Sequence, residues 1–321
     1  MNKWLKGIST ASLAVVLSAC GASGDNETAE DDKNEGGTEE VFATITDASG
    51  EEVEIEEEPE RIVSLIPSNT EIAYSLGLED RIVGVTDYCN FPEEASEKQS
   101  IGGLDFDLEI LLSLEPDLVL AQASSAHSNE EAFDQIEESG AEILIVNDAN
   151  SFEEAYDSMN MIGEATGTEE EAGAIIEEME EDISVVEEKA EEIDEEERKS
   201  VWVEIQPPPE IYTTGQNTFM HEMLETINAD NAAGDEEGWI AYSEEEAVAF
   251  NPDVILTTHG DYSDESIEEI LERDGWEDVP AIQDEEIYNL NNDAVSRPGP
   301  RLVEGIEEIA ESVYPNVFAE E

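Results

Sequence analysis

The sequence predicts an α/β protein: two Rossmann-like lobes joined by one long rigid helix, with a ligand cleft between the lobes. Three observations predict it. Short β-rich apolar runs alternate with loops and amphipathic segments on both sides of the chain's middle, the pattern of a largely parallel sheet. Residues 168–198 carry a helical period with no proline. A helix end, a Pro-Asp pair and an apolar strand occur twice, as "ILLSLEPDLVLAQ" (110–122) and "AVAFNPDVILTT" (247–258). Each of those strands runs on into a polar loop with a histidine, His127 and His259. The expected division is an N-terminal lobe over 41–167, the helix over 168–198 and a C-terminal lobe over 199–321.

The segments ahead of the first lobe read as a processing signal. Lys3 and Lys6 precede a short apolar run, Ile8 to Ala19, too short to cross a bilayer. The run ends in "LSAC". Small residues before a cysteine resemble the lipobox of bacterial lipoproteins, which implies a signal peptide over 1–19 and lipidation of Cys20. An ordinary secretory signal is the alternative. Residues 21–40 hold almost nothing apolar and read as a flexible acidic tether. The body is expected on the extracytoplasmic face of a cell membrane, held by the lipid.

Within the body, 41–55 alternates around "DASG" and predicts a two-stranded hairpin. "RIVSLI" leads through "PSN" into a helix, with Ser68 and Glu71 at capping-box spacing. "RIVGVT" leads into "DYCNFP", and "EILIV" leads into a helix opened by Ser151 and Glu154 at the same spacing. From Ala172 through Met179 and Ile183 to Ile193, apolar residues step by three or four. About 26 helical residues would span about 39 Å, a strut between the lobes. The pattern then resumes with "SVWVEI" and "EEIYNLN" and closes on a helix from Arg301. Trp239 and Tyr242 fall in a stretch that reads as irregular.

Charge narrows the function. The chain has 86 acidic residues against 12 Lys and Arg, a net charge of −74. Such a surface repels nucleic acid and anionic lipid. It also repels itself, until salt near 1 M shortens the Debye length to about 3 Å. Adaptation to a saline medium follows. Cys89 has no partner if Cys20 is lipidated. Motifs for a serine nucleophile, a phosphate loop or a zinc protease are missing, so no enzyme activity and no resident metal or cofactor are expected. His221, inside a helix, reads as structural.

Ligands of open α/β sheets sit at the carboxyl ends of the strands. The first half places Ser68, Asn69, Tyr88, Asn90, Phe91 and His127 there. The second half places Pro207, Pro208, Tyr212, His259, Tyr262, Asn292, Asp293 and Arg297 there, with Trp239 and Tyr242 nearby. These aromatics and amides suit a large, flat, partly polar ligand. Arg301 opens a helix, where a cation is unfavourable, so a carboxylate partner is expected. Arg297, one turn earlier, is expected to touch ligand.

"RIVSLIPSNTEIAYSLGLEDRIVGVTDYCNFP", "IGG", "EPDLVLA" and "DAVSRPGPRLVEGIEEIA" resemble the substrate-binding proteins of ABC importers whose lobes are joined by one long helix. That class handles cobalamin, haem and iron siderophores, and "DYCNFP" tilts the resemblance towards cobalamin binders. The resemblance implies capture of a corrinoid and delivery to an ABC permease and ATPase complex by a monomer; a haem or ferric-siderophore receptor is the alternative. It puts Pro67, Ser68 and Asn69 in a ligand loop, Tyr88 beneath the corrin, and Tyr212 and Trp239 as aromatic walls. Asp293 and Arg297 would contact corrin amides, and Glu109 and Glu245 would dock on the permease. Gly103 and Gln122 depart from the pattern, standing where well-known cobalamin binders carry Trp.

Overall fold

The computed structural model describes residues 41–260 and 266–319. The signal peptide, Cys20, the tether and Tyr262 lie outside the described residues.

Strands β1 (Ala43–Thr46) and β2 (Glu52–Ile55) form the expected antiparallel hairpin. Asp47 shapes its turn, accepting the backbone N–H groups of Ser49 at 2.8 Å and Glu51 at 3.2 Å. Five strands then build a parallel sheet in the order β5-β4-β3-β6-β7. They are β3 (Ile62–Ser64), β4 (Ile82–Val85), β5 (Gln99–Ser100), β6 (Leu118–Gln122) and β7 (Glu142–Val146). A second parallel sheet runs β10-β8-β12-β13. It holds β8 (Ser200–Glu204), β10 (Asp230–Asn231), β12 (Val254–Thr257) and β13 (Ile287–Asn289). Between them in sequence, β9 (Ile211–Thr214) and β11 (Trp239–Tyr242) pair into a separate antiparallel ribbon. The stretch around Trp239 is therefore a strand, not irregular.

The orders β4-β3-β6-β7 and β10-β8-β12-β13 are the same arrangement used twice. The repeated Pro-Asp pair explains part of it. Asp117 accepts the backbone N–H groups of Glu60 and Arg61, each at 2.9 Å, where the chain enters β3. Asp253 accepts the N–H of Ser200 at 2.9 Å, at the first residue of β8. In each half this aspartate ties the start of one strand to the start of its neighbour, satisfying donors no ladder reaches.

The helices that frame the site are α1 (Pro67–Ser75), α2 (Leu108–Ser113), α3 (Phe152–Thr166), α4 (Glu169–Ala190), α5 (Phe219–Thr226), α6 (Glu244–Ala247), α7 (Asn292–Ser296) and α8 (Leu302–Val313). The joining helix α4 has 22 residues, about 33 Å at 1.5 Å per residue, shorter than the period alone suggested. At its end Asn228 Nδ2 donates to the carbonyls of Ile193 at 3.1 Å and Ala190 at 3.5 Å, where a helix's last carbonyls lack partners in its own ladder. Helix α4 packs on α3 from the first half and on α5 and α8 from the second. Met179, Ile183 and Val186 join one apolar core with Ile162 of α3 and Ile306 of α8. Burying that stripe from both sides makes α4 a shared wall, not a free linker.

One expected cap fails. Helix α1 starts at Pro67, with Ile66 as N-cap and no side-chain cap. Proline at the first helical position needs no donor partner, so Ser68 lies inside the first turn and Glu71 turns elsewhere. At α3 the spacing does work: Ser151 Oγ accepts from Glu154 N at 3.1 Å.

Candidate ligand-binding cleft

Two contacts fix how the carboxyl edges of the sheets meet. On one side, the loop after β4 meets the segment after β13: Asn90 Nδ2 donates to Asp293 Oδ2 at 2.8 Å. On the other, the segment after β7 meets α5, which packs on β10. There the N–H of Phe152 donates to Glu222 Oε2 at 2.8 Å. The carboxylate sits at the positive end of α3, and burial pushes its carboxyl up. Since β4 corresponds to β10 and β7 to β13, each tether joins the segment after β7 or β13 to the opposite half, through the loop after β4 in one case and through α5, which precedes β10, in the other. The central strands β3 and β6 of one sheet and β8 and β12 of the other end on these same edges.

The first tether is a network. Arg297 Nη1 donates to Glu71 Oε1 and to Asn90 Oδ1, both at 2.7 Å. Its Nη2 reaches Asp293 Oδ1 at 2.7 Å and the Tyr88 carbonyl at 3.3 Å. Arg301 places Nη1 3.6 Å from Glu71 Oε1 and donates from Nε to Glu304 at 3.3 Å. Its guanidinium also lies 4.0 Å from the centre of the Phe91 ring. Arg301 thus has two carboxylate partners, Glu304 and Glu71, of which Glu71 is 2% exposed. Burial pushes the Glu71 carboxyl up, while Arg297 and then Arg301 pull it back.

Aromatic area lies exposed on both sides. Tyr88 is 53% exposed, Tyr212 37% and Trp239 43%. In the β9–β11 register Trp239 faces Thr214 and Tyr212 faces Ala241, so Tyr212 and Trp239 share one face of the ribbon as a diagonal pair. Phe219 supports Trp239 edge-on, with centroids 5.7 Å apart. Tyr242 points the other way and packs on Trp202 and Phe250. Gly103 lies against Tyr88: a Cβ there would sit 3.5 Å from the ring. Pro67 is half-buried, whereas Ser68 and Asn69 are buried, and Asn69 Nδ2 donates to the Ala121 carbonyl at 3.0 Å. Asn69 thus locks α1 onto the end of β6.

The two histidines of the repeated loops separate. His127 is exposed after β6. His259 is buried and lies 2.8 Å from Glu204 Oε1, and Arg273 clasps the same carboxylate with contacts of 2.6 and 2.5 Å. Burial alone would raise the Glu204 carboxyl, but Arg273 and His259 outweigh it and hold it below the usual range. His221 is tied to Asn231 at 3.1 Å, and Cys89 is buried beside Thr70 and Thr86. Among the described residues no group of three or more His, Cys, Asp or Glu is placed to hold a metal ion. Glu71 and Glu204 were not singled out in the sequence as partners of arginine. Burial marks them, and composition hides it.

The family model for periplasmic binding proteins matches residues 62–294. The chain belongs to the periplasmic binding protein family. This family member is 45% identical, over 96% of both chains, to a Bacillus subtilis (strain 168) protein described as an uncharacterized ABC transporter substrate-binding lipoprotein, YvrC. It is 26% identical to a cobalamin-binding protein of Halobacterium salinarum, over 84% of this chain and 74% of that one. A solved Staphylococcus epidermidis structure, titled as a possible iron-binding (periplasmic solute-binding) protein, superposes with a TM-score of 0.72 at 33% identity. That match covers 80% of this chain and 100% of that one. The periplasmic binding protein described here is thus the substrate-binding component of an ABC transporter. It carries a small molecule to a permease and its ATPase, and it is not an enzyme.

Proposed function

We propose that this binding protein captures a corrinoid in the cleft between its halves and presents it to the permease as a lipid-anchored monomer. The observation that carries the reading is the exposed aromatic area at the carboxyl edges of both sheets: Tyr88 on one side, Tyr212 and Trp239 on the other. The carboxyl edges of α/β sheets are where this architecture takes its ligands, and exposed rings there offer contact area. A flat macrocycle with amide side chains uses both the ring faces and the polar groups of Asn90 and Asp293. Pro67, Ser68 and Asn69 shape the loop beneath it, and Arg297 holds the rim.

Glu109 and Glu245 are the proposed docking points for the permease. Both are exposed, each lies in the first turn of a short helix, and each precedes its Pro-Asp strand by the same number of residues. Anchoring is assigned to Cys20, in keeping with the lipoprotein relative. Calorimetry with cyanocobalamin tests the reading: binding at micromolar concentration or tighter supports it. A ferric siderophore or haem is the second reading, favoured by the 33% identical relative titled as a possible iron-binding protein. Heat with those ligands and none with cobalamin or cobinamide moves the assignment there.

A further inference from the structure

The positions of the cations say what kind of cargo the cleft accepts. Nine of the chain's 12 Lys and Arg lie among the described residues. Five precede the strands, at the amino edges of the sheets, and Lys189 lies near the end of α4. The five are engaged there: Arg61 donates to the carbonyl of Glu115 at 3.0 Å, and Arg81 pairs with Glu58 at 2.5 Å. Lys98 donates to the Glu79 carbonyl, Arg198 pairs with Asp230 and Lys199 with Glu286.

Three arginines remain on the carboxyl-edge side, and each is already neutralised. Arg273, 6% exposed at the side chain, is held by Glu204. Arg297, 13% exposed, is held by Glu71 and Asp293. Arg301, 9% exposed, is held by Glu71 and Glu304. The loops that carry the exposed rings add carboxylates instead: Asp87 beside Tyr88, Asp105 after Gly103, and Glu210 and Glu237 flanking Tyr212 and Trp239, all exposed.

We infer that the cleft selects cargo by charge, taking neutral or cationic ligands and rejecting anionic ones. This rests on the reading of the cleft as the ligand site and sharpens it. An anion entering here meets no unpaired cation among the described residues, and several carboxylates at short range. To recruit Arg297 it must displace buried Glu71, which leaves that carboxylate with only the more distant Arg301. A neutral ligand faces neither cost, and a cationic one is attracted.

The test compares cyanocobalamin with its monocarboxylic derivative, in which one side-chain amide is a carboxylate, by calorimetry at pH 8. The shapes match and one charge differs. At 0.15 M salt the neutral ligand should bind about tenfold tighter, and at 2 M salt the gap should shrink. A carboxylate derivative that binds equally well or better at 0.15 M overturns the charge selection and leaves the receptor reading standing. Should neither corrinoid bind, a neutral ferric hydroxamate is compared with a trianionic ferric catecholate. Preference for the neutral chelate supports the inference, and preference for the anion overturns it. No binding by any of the four overturns the corrinoid and siderophore readings and this inference with them.

Discussion

Arg297 and Glu71 are 226 residues apart in the chain and 2.7 Å apart in space. One follows the last strand of the second sheet and the other lies in the helix after the first strand of the first sheet. Their pairing closes one side of the cleft, and losing Arg297 leaves buried Glu71 with only Arg301, 3.6 Å away. Arg297→Gln should therefore destabilise the fold by about 3 kcal/mol, read by urea unfolding. The pair Glu71→Gln with Arg297→Gln should cost less than the sum of the two single changes. Additive losses would show that the ion pair contributes nothing to holding the halves.

The ribbon rings should matter for affinity more than for stability. Trp239→Ala and Tyr212→Ala each remove exposed aromatic area, and each should weaken ligand binding about tenfold. Unfolding should shift by less than about 1 kcal/mol for Tyr212→Ala. The Trp239 change should cost slightly more, because Phe219 loses its edge contact. Calorimetry and thermal melts on the same samples separate the two effects.

Filling Gly103 offers a gain. The nearest neighbours of a Cβ placed there are atoms of the Tyr88 ring at 3.5 Å and beyond, so a Cβ fits in ordinary van der Waals contact. Gly103→Trp should stack a second ring beside Tyr88 and tighten corrinoid binding by about 1 kcal/mol. Weaker binding in fluorescence titration would place the ligand directly over Gly103.

Acid should attack the Glu204 cluster. Its carboxyl is held below the usual range in the folded protein, so the unfolded state binds the proton more readily. The resulting stability is present above the unfolded carboxylate value, about 4.3, and disappears as pH falls through the folded one. Glu204→Gln should flatten stability between about pH 5 and 3 and, by leaving Arg273 buried without its counterion, lower it at pH 7 by about 3 kcal/mol. A variant with an unchanged acid slope removes Glu204 from the explanation.

Salt should stabilise strongly. With −74 charges on one chain, raising salt from 0.1 to 2 M should lift the melting temperature by about 10 °C or more. A flat melting temperature across that range would sink the saline reading of the composition.

Much of this architecture was legible in the residues. Strand–loop–helix alternation gave both sheets, because strands buried on both faces, such as β3 and β12, must be continuous apolar runs. The three-to-four step gave α4, although its end was overread: Ile193 keeps the period but belongs to the turn beyond Ala190. The β9–β11 ribbon was missed because four-residue strands next to Pro and Gly carry too little pattern. Arg301 disclosed its need for a counterion through its place at a helix start, yet the counterion could not be named. Glu71 is one acid among 86, and its spacing from Ser68 fitted a local role equally well. Arg297 was read as reaching cargo, and spacing gave no sign of its contacts with Glu71, Asn90 and Asp293. Burial of a polar group is a tertiary fact, and local spacing does not report it.

Asp117 and Asp253 do the same job at the same place in their halves. A lesion in one therefore has a twin that can be found by counting along the chain, without coordinates. Each half inherits its own copy of the instruction that begins a sheet, so a fault at either site should leave the other half's strands correctly started.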